Sequence, residues 1–423
     1  MLSDVYQLLI SKFSISRRML IATISIIAFK VTYLSMLTIA LRLCPDLDER
    51  QFWMSKATWP VDSQPTFMTH FATWGAAHYL YLSTIGYEES HPSCAFYPLW
   101  PLLLRWFCRL THFDVVWMGL ILTNVASTIA FVIFYQIITM RYGERIGVFS
   151  LLLILLYPGA LFYNFIYSES LFFLLSMLLL LGMERNWHSV IWLAGFLLPM
   201  TRAVGIFSLA PLLWYCAQYC AIISSAGNRT KQLAPVSWNW LEWKESNLKL
   251  FYKHHSFSRH ILLLPCAPLL GYCTYFILMW KWTGNPLEGI QAQRFWGHVH
   301  SIGNLWNIEK FALGFCSPSA WHDFRESMLD RMVFILFAGC LPRIWALDKG
   351  WFLWALFLGV VPAMSGTFTS FTRFASVIFP IFVALATFIA PYKTPLVRYV
   401  LFGLFGLLQI VLVWRFVNFR WAG

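Results

Sequence analysis

The sequence predicts an all-α bundle of membrane-spanning helices, and three observations predict it. First, 59% of the 423 residues are hydrophobic and 12% are charged, where soluble globular chains carry about 25% charged residues. Second, the apolar residues run on without alternating, and the mean hydropathy is +0.62. Every backbone polar group in lipid must be satisfied within the structure, and unbroken apolar runs select helices over barrel strands. Third, the basic residues gather at the ends of these runs and in short connections, the positive-inside pattern. The formal charge of +12 is therefore read as topology, and nucleic acid is excluded as a partner because no basic recognition element occurs.

About eleven crossings are expected, some shorter than the ~20 residues a bilayer needs: 19–42, 115–140, 146–164, 168–184, 188–201, 204–223, 260–282, 329–346, 350–366, 373–391 and 396–416. The first follows Arg17-Arg18 without a small-residue cleavage site, so it reads as a retained span starting in the cytoplasm. Pro199 and Arg202 allow the fifth and sixth to be one broken helix. The chain is read as one membrane-embedded unit, 1–423, with a long first outer loop, 43–114, and a basic cytoplasmic loop, 224–259. The latter carries Arg229, Lys231, Lys244, Lys249, Lys253 and Arg259, and its Asn228-Arg229-Thr230 sequon is inert on that side. The outer loop is acidic, with Asp46, Asp48, Glu49, Asp62, Glu88 and Glu89. Nine cysteines form no Cys-x-x-Cys metal pair; most read as small core residues, while Cys44 and Cys94 share the outer loop and could pair.

The apolar pattern breaks in five places, and the topology puts all five on the outer side: Trp74–Pro101, Tyr167–Ser170, Thr201-Arg202, Gly284–Gly297 and Gly366–Arg373. Non-helical backbone at membrane depth is tolerated only around protein-buried or watery cavities. An intramembrane arginine is costly and functional by default, and Arg202 and Arg373 could clamp a phosphodiester bidentately; the alternative is two snorkelling helix ends. Ser168 reads as a helix cap and Glu169 as a first-turn acid or a substrate organiser. Gln291, Gln293 and Arg294 beside Phe295 and Trp296 suit sugar hydroxyls, or form an interfacial helix. There is no Walker loop, Rossmann fingerprint or His-Glu-x-x-His, so a nucleotide-sugar donor is not expected.

The order Trp74-x-x-x-His78, Gly86-Tyr87, Ala95-Phe96-Tyr97-Pro98, Tyr167-Ser168-Glu169-Ser170, Arg202-x-x-Gly205, Gly284-Asn285-Pro286-Leu287 and Arg373-Phe374…Phe379-Pro380 resembles the PIG-V family. Its members are mannosyltransferases that add the second mannose of GPI anchors, together with bacterial relatives, to which the Arg202 element is closer. The resemblance implies a GT-C fold, polyprenyl- or dolichyl-phosphate mannose as donor, a lipid-linked glycan as acceptor and no metal or other cofactor. It also implies an active site on the outer or luminal face of the bacterial inner membrane or the endoplasmic reticulum, with a small membrane subunit required by some members. One departure stands out: the family usually has Trp-Asp where this chain has Trp74-Gly75. Inverting glycosyl transfer needs a carboxylate to deprotonate the acceptor, and glycine has none. Glu88, Glu89 or His78 could take over, or the chain binds its lipid without turnover. Trp74, Tyr87, Tyr97, Glu169, Arg202, Gln291, Gln293, Arg294 and Arg373 are the expected substrate contacts. A lipid or solute transporter is the rival class, although no internal repeat supports it.

Overall fold

A computed structural model describes residues 17–43, 59–60, 66–227, 259–296, 301–316, 321–324, 327–391 and 395–423. Among these, helices and turns account for all regular structure, as the composition requires. All eleven apolar segments are helical over most of their length. Four helices among the described residues are long and apolar enough to cross a membrane: α1 (Arg17–Leu43), α4 (Val115–Tyr142), the Ile261–Thr283 segment containing α9 (Cys266–Thr283), and α16 (Leu396–Val417). Between α1 and α4, the described residues of the first loop include two short α-helices, α2 (Gly75–Thr84) and α3 (Leu99–Thr111).

Most of the remaining apolar segments are shorter because they are interrupted, and the causes are visible in the chain. The expected 146–164 span is α5 (Glu144–Leu156) followed by a 3-10 turn at Pro158–Tyr163; proline there has no N–H to continue the ladder. The α6 helix (Glu169–Arg185) ends at left-handed Asn186, and α7 (His188–Thr201) is joined to α8 (Leu209–Gly227) through extended Arg202 and a 3-10 turn, Ala203–Ser208. The 373–391 span is likewise two pieces, α14 (Phe371–Ala375) and α15 (Pro380–Ile389), with Pro380 in the first turn of the second. Between α9 and α14 come two short helices, α10 (Glu288–Gln291) and α11 (Ile308–Leu313), then α12 (Met328–Leu347) and α13 (Lys349–Ala363). The basic loop from 228 to 258, its sequon and Cys44 lie outside the described residues; Cys94 is buried and its thiol donates to the Glu88 carbonyl at 3.0 Å.

The bundle is organised around α6, which packs between α4 and α7, with α7 in turn on α9 and α1 against α4. Its core is unusually aromatic: Trp351, Trp354, Tyr157, Tyr163, Phe131 and Phe134 are fully buried. Two polar devices pin the ends. At one end Arg141 of α4 pairs with Glu184 of α6 and, at 3.0 Å, with Asp348 before α13, its guanidinium lying 4.5 Å from the Trp351 ring centroid. Toward the other end Lys30 of α1 is buried and donates to Asn124 Oδ1 (3.1 Å), Tyr163 O (3.1 Å) and Asn164 Oδ1 (2.8 Å). Those three acceptors satisfy the ammonium where lipid would not and tie the first helix to the break that precedes α6.

Candidate active site

The breaks between helices converge on one cavity of about 440 Å³. Behind its wall stands Glu169, the first residue of α6 and fully buried. Its Oε1 lies 2.5 Å from Arg202 Nη1 and 3.2 Å from Arg373 Nε, drawing together the junction after α7 and the short helix α14. The two guanidiniums line the cavity, with side-chain exposures of 12% and 18%, whereas the carboxylate between them is at 0%. A ligand in the cavity therefore meets the arginines and not the acid. Two cations share one anion, which leaves the cluster one positive charge in excess, the arrangement that accepts a second anion. The Arg373 guanidinium also lies 4.8 Å from the Phe374 ring and 5.6 Å from Phe162 and Tyr167, so its direction is set by ring packing.

Ser168 does not cap α6 as expected; its hydroxyl accepts from Tyr79 Oη at 2.7 Å and from Arg202 Nη1 at 3.4 Å. A second buried acid was read from sequence as part of an ordinary span. Asp330 of α12 is fully buried, and its Oδ1 accepts from Thr372 N at 2.6 Å, next to Arg373. It fixes the one-turn helix that carries Arg373. Asp330→Ala is expected to weaken binding of an anionic phosphate probe at the arginines about 5- to 10-fold through this support, in keeping with loss of one charged hydrogen bond. Unchanged affinity in a titration of the folded variant would assign Asp330 to packing alone.

The expected site residues divide cleanly. Trp74, Gly75, His78, Tyr97, Gln293, Arg202 and Arg373 line the cavity, with Glu169 behind the arginines. Glu88 and Glu89 are exposed and off the wall, Glu88 accepting a hydrogen bond from Tyr81 Oη at 2.8 Å. Tyr87 is also off it, stacked on Trp282 with its hydroxyl given to Phe96 O. Gln291 and Arg294 are exposed; Asn285 donates to Gln291 and Arg294 lies on Phe295. Tyr79, Tyr167, Tyr272 and the segment Trp421–Gly423 also line the cavity and were not anticipated. Tyr79 and Tyr167 had a signal, each sitting inside a polar break; Trp421 follows the last span with none.

Gly75 opens α2 after Trp74, whose φ of +51° and ψ of −124° are strained for a side-chain-bearing residue. Its N–H donates to Tyr167 Oη at 3.0 Å. A Cβ at 75 would stand 2.8 Å from Tyr167 Cε1, so the phenol ring occupies the space a larger residue would need. His78 Nδ1 is 2.8 Å from Ser93 Oγ, and its ring stacks on Phe96 with centroids 4.7 Å apart. Burial, with the nearby His91 adding to it, pushes the imidazole down to about 3; it is neutral at physiological pH and a weak base. No carboxylate side chain lines the cavity among the described residues.

Comparison with known proteins gives a family match and a structural likeness. The model of a family described as "Mannosyltransferase (PIG-V)" matches residues 10–235, just over half of the 423-residue chain. A solved structure of the Archaeoglobus fulgidus oligosaccharyltransferase, in complex with zinc and sulfate, is similar at 13% identity and a TM-score of 0.40, covering 93% of this chain and 53% of that one. The chain thus spans about half the length of that protein, and a likeness at this TM-score carries no argument. No curated protein matches by sequence.

Proposed function

Because the chain belongs to the PIG-V mannosyltransferase family, we propose that it moves mannose from a polyprenyl or dolichyl phosphate to a lipid-linked glycan at the outer or luminal membrane face. The observation that carries this reading is the pair of arginines, Arg202 and Arg373, set on the cavity wall around the buried Glu169 carboxylate. A phosphodiester entering the cavity takes the surplus positive charge. Guanidinium forks hold its oxygens, and the charge that develops on the leaving phosphate is met by groups already in place. The sugar C1–O bond to phosphate breaks, a bond from C1 to the acceptor oxygen forms, and the acceptor's proton leaves. The released phosphate monoester, with a second pKa of about 6, is a competent final holder of that proton. No metal is invoked, since the arginines supply the neutralising charge.

The proton's first acceptor is the weak point of this site. Among the cavity-lining side chains, His78 is the one with a ring nitrogen able to accept at neutral pH, and burial makes it a poor base. That observation favours a second reading beside the first: a cavity that binds the lipid-phosphate sugar and transfers it slowly or not at all.

Arg202→Ala and Arg373→Ala test the clamp directly. Each is expected to weaken binding of polyprenyl-phosphate mannose about 10- to 100-fold, the loss of a charged hydrogen-bonding partner, in assays on membranes with radiolabelled donor. Unchanged donor affinity in both variants would sink the clamp and the donor class with it.

A further inference from the structure

A cavity of about 440 Å³ suits a ligand of small-molecule size. It holds a sugar phosphate but not a long hydrocarbon chain, so the chain of a lipid phosphate seated there has to leave through a wall. One part of the wall differs from the rest. Directly after Arg202, Ala203 is exposed and Val204 half-buried, and both line the cavity. The turn they begin, Ala203–Ser208, packs on α13. At the cavity end of α13, Val361 and Pro362 are likewise half-buried and on the wall. Side chains that line a cavity and stay this accessible mark an opening, whereas Tyr79, Tyr97 and Tyr167 elsewhere on the wall are buried.

The opening is apolar, and it begins at the arginines. The Phe374 ring, on the cavity wall, lies 5.3 Å from the Arg202 guanidinium and 4.8 Å from that of Arg373. Two apolar ridges lead away from that point. Val204 and Phe207 are one turn apart on the 3-10 turn, and Val361 and Phe357 are one turn apart on α13. Phe207 and Phe357 stack face to face, with centroids 4.9 Å apart at 4°, and close one edge of the opening; Phe357 is exposed. Since α13 rises from the end of the bundle where Asp348 meets Arg141, Phe357 lies deeper than Val361. Cations first and apolar rings below them reproduce the polarity of a lipid phosphate, headgroup first and chain after. We propose that the hydrocarbon chain of the lipid phosphate leaves the cavity between the α7–α8 junction and α13, and that Val204 and Val361 decide whether a phosphate carrying a long chain can seat on the arginines. Hydrocarbon gains little on moving from lipid into an apolar groove, so the opening governs passage of the chain and the arginines supply the affinity. This assignment rests on the lipid-phosphate reading above and adds the route of the chain.

The test is equilibrium binding by the purified full chain in detergent, wild type against Val361→Trp. Three probes are used: polyprenyl phosphate, dodecyl phosphate and ethyl phosphate. Val361→Trp is expected to weaken polyprenyl phosphate about 10-fold, the usual cost of forcing a ring into occupied space. Ethyl phosphate, with no long chain to pass, is expected to bind both proteins equally. Unchanged affinity for polyprenyl phosphate, or an equal loss for ethyl phosphate, would overturn the proposal while leaving the donor class standing. Wild-type protein that binds ethyl phosphate and not polyprenyl phosphate would bring down the donor reading instead. The opening is then judged on dodecyl phosphate, where a loss in Val361→Trp upholds it and no loss overturns it. Wild-type protein that binds none of the three would overturn the clamp and the opening together. Should Val361→Trp melt well below the wild type, Val204→Trp on the facing edge is read by the same criteria.

Discussion

Glu169→Gln is expected to destabilise the ligand-free protein by about 3 kcal/mol, the low end of the cost of stranding the partner of a buried ion pair. The carboxylate is fully buried and touches both Arg202 and Arg373. Neutralising it leaves two guanidiniums facing each other with no anion between them. The low end applies because both arginines reach the cavity, with exposures of 12% and 18%, where water relieves part of the charge. The same change makes the cavity more positive. Polyprenyl phosphate should therefore raise the melting temperature of Glu169→Gln by more than it raises that of the wild type, since stabilisation by a ligand grows with the logarithm of its affinity for the folded state. Thermal unfolding in detergent, with and without the lipid, reads both effects. A variant as stable as its parent would mean that the carboxylate does not hold the arginines together. Equal ligand shifts in the two proteins would separate the phosphate from this cluster.

The second large effect concerns Gly75. Gly75→Asp alone is expected to cost about 1–3 kcal/mol, the usual penalty for overpacking a filled site. The new Cβ would lie 2.8 Å from Tyr167 Cε1, and Tyr167 is itself 2% exposed with little room to retreat. Combining Gly75→Asp with Tyr167→Leu opens that space and places a carboxylate on the cavity wall. Transfer from polyprenyl-phosphate mannose should then rise about 100-fold over the parent chain, the lower end of what a positioned general base contributes. Tyr167→Leu alone, which gains no carboxylate, should not rise. If the parent already transfers as fast as the double variant, the acceptor's proton goes to another group on the wall, and Gly75 does not impair the chain.

Much of this molecule was legible along the chain. The apolar runs placed the helices, because a segment in lipid has few alternatives to helix. Pro199 and Arg202 marked one interruption, because a missing N–H or a charged side chain cannot continue an apolar span. The breaks at Pro158 and Pro380, by contrast, fell inside runs read as continuous spans. Glu169, Arg202 and Arg373 were recognisable as an unusual acid and two unusual bases inside apolar sequence. Other residues misled for an equally physical reason. Glu88 and Glu89 sit in the right loop, but nothing local distinguishes an acid that faces solvent from one that faces a cavity. Asp330 was one residue within the 329–346 span, and its partner, Thr372 N, is 42 residues away. Trp421 had no neighbouring polar pattern to give it away.

The sequence by itself determined the all-helical membrane architecture, the family, and the polar breaks from which the site is built, because hydropathy, helix termination and motif order are properties of adjacent residues. The tertiary structure decided which of those polar groups share a cavity. It joined both arginines to one carboxylate, filled the space beside Gly75 with the Tyr167 ring and brought the last residues of the chain against Trp74. Those outcomes depend on how helices far apart in sequence pack, and on which buried charges and donors that packing leaves facing one another.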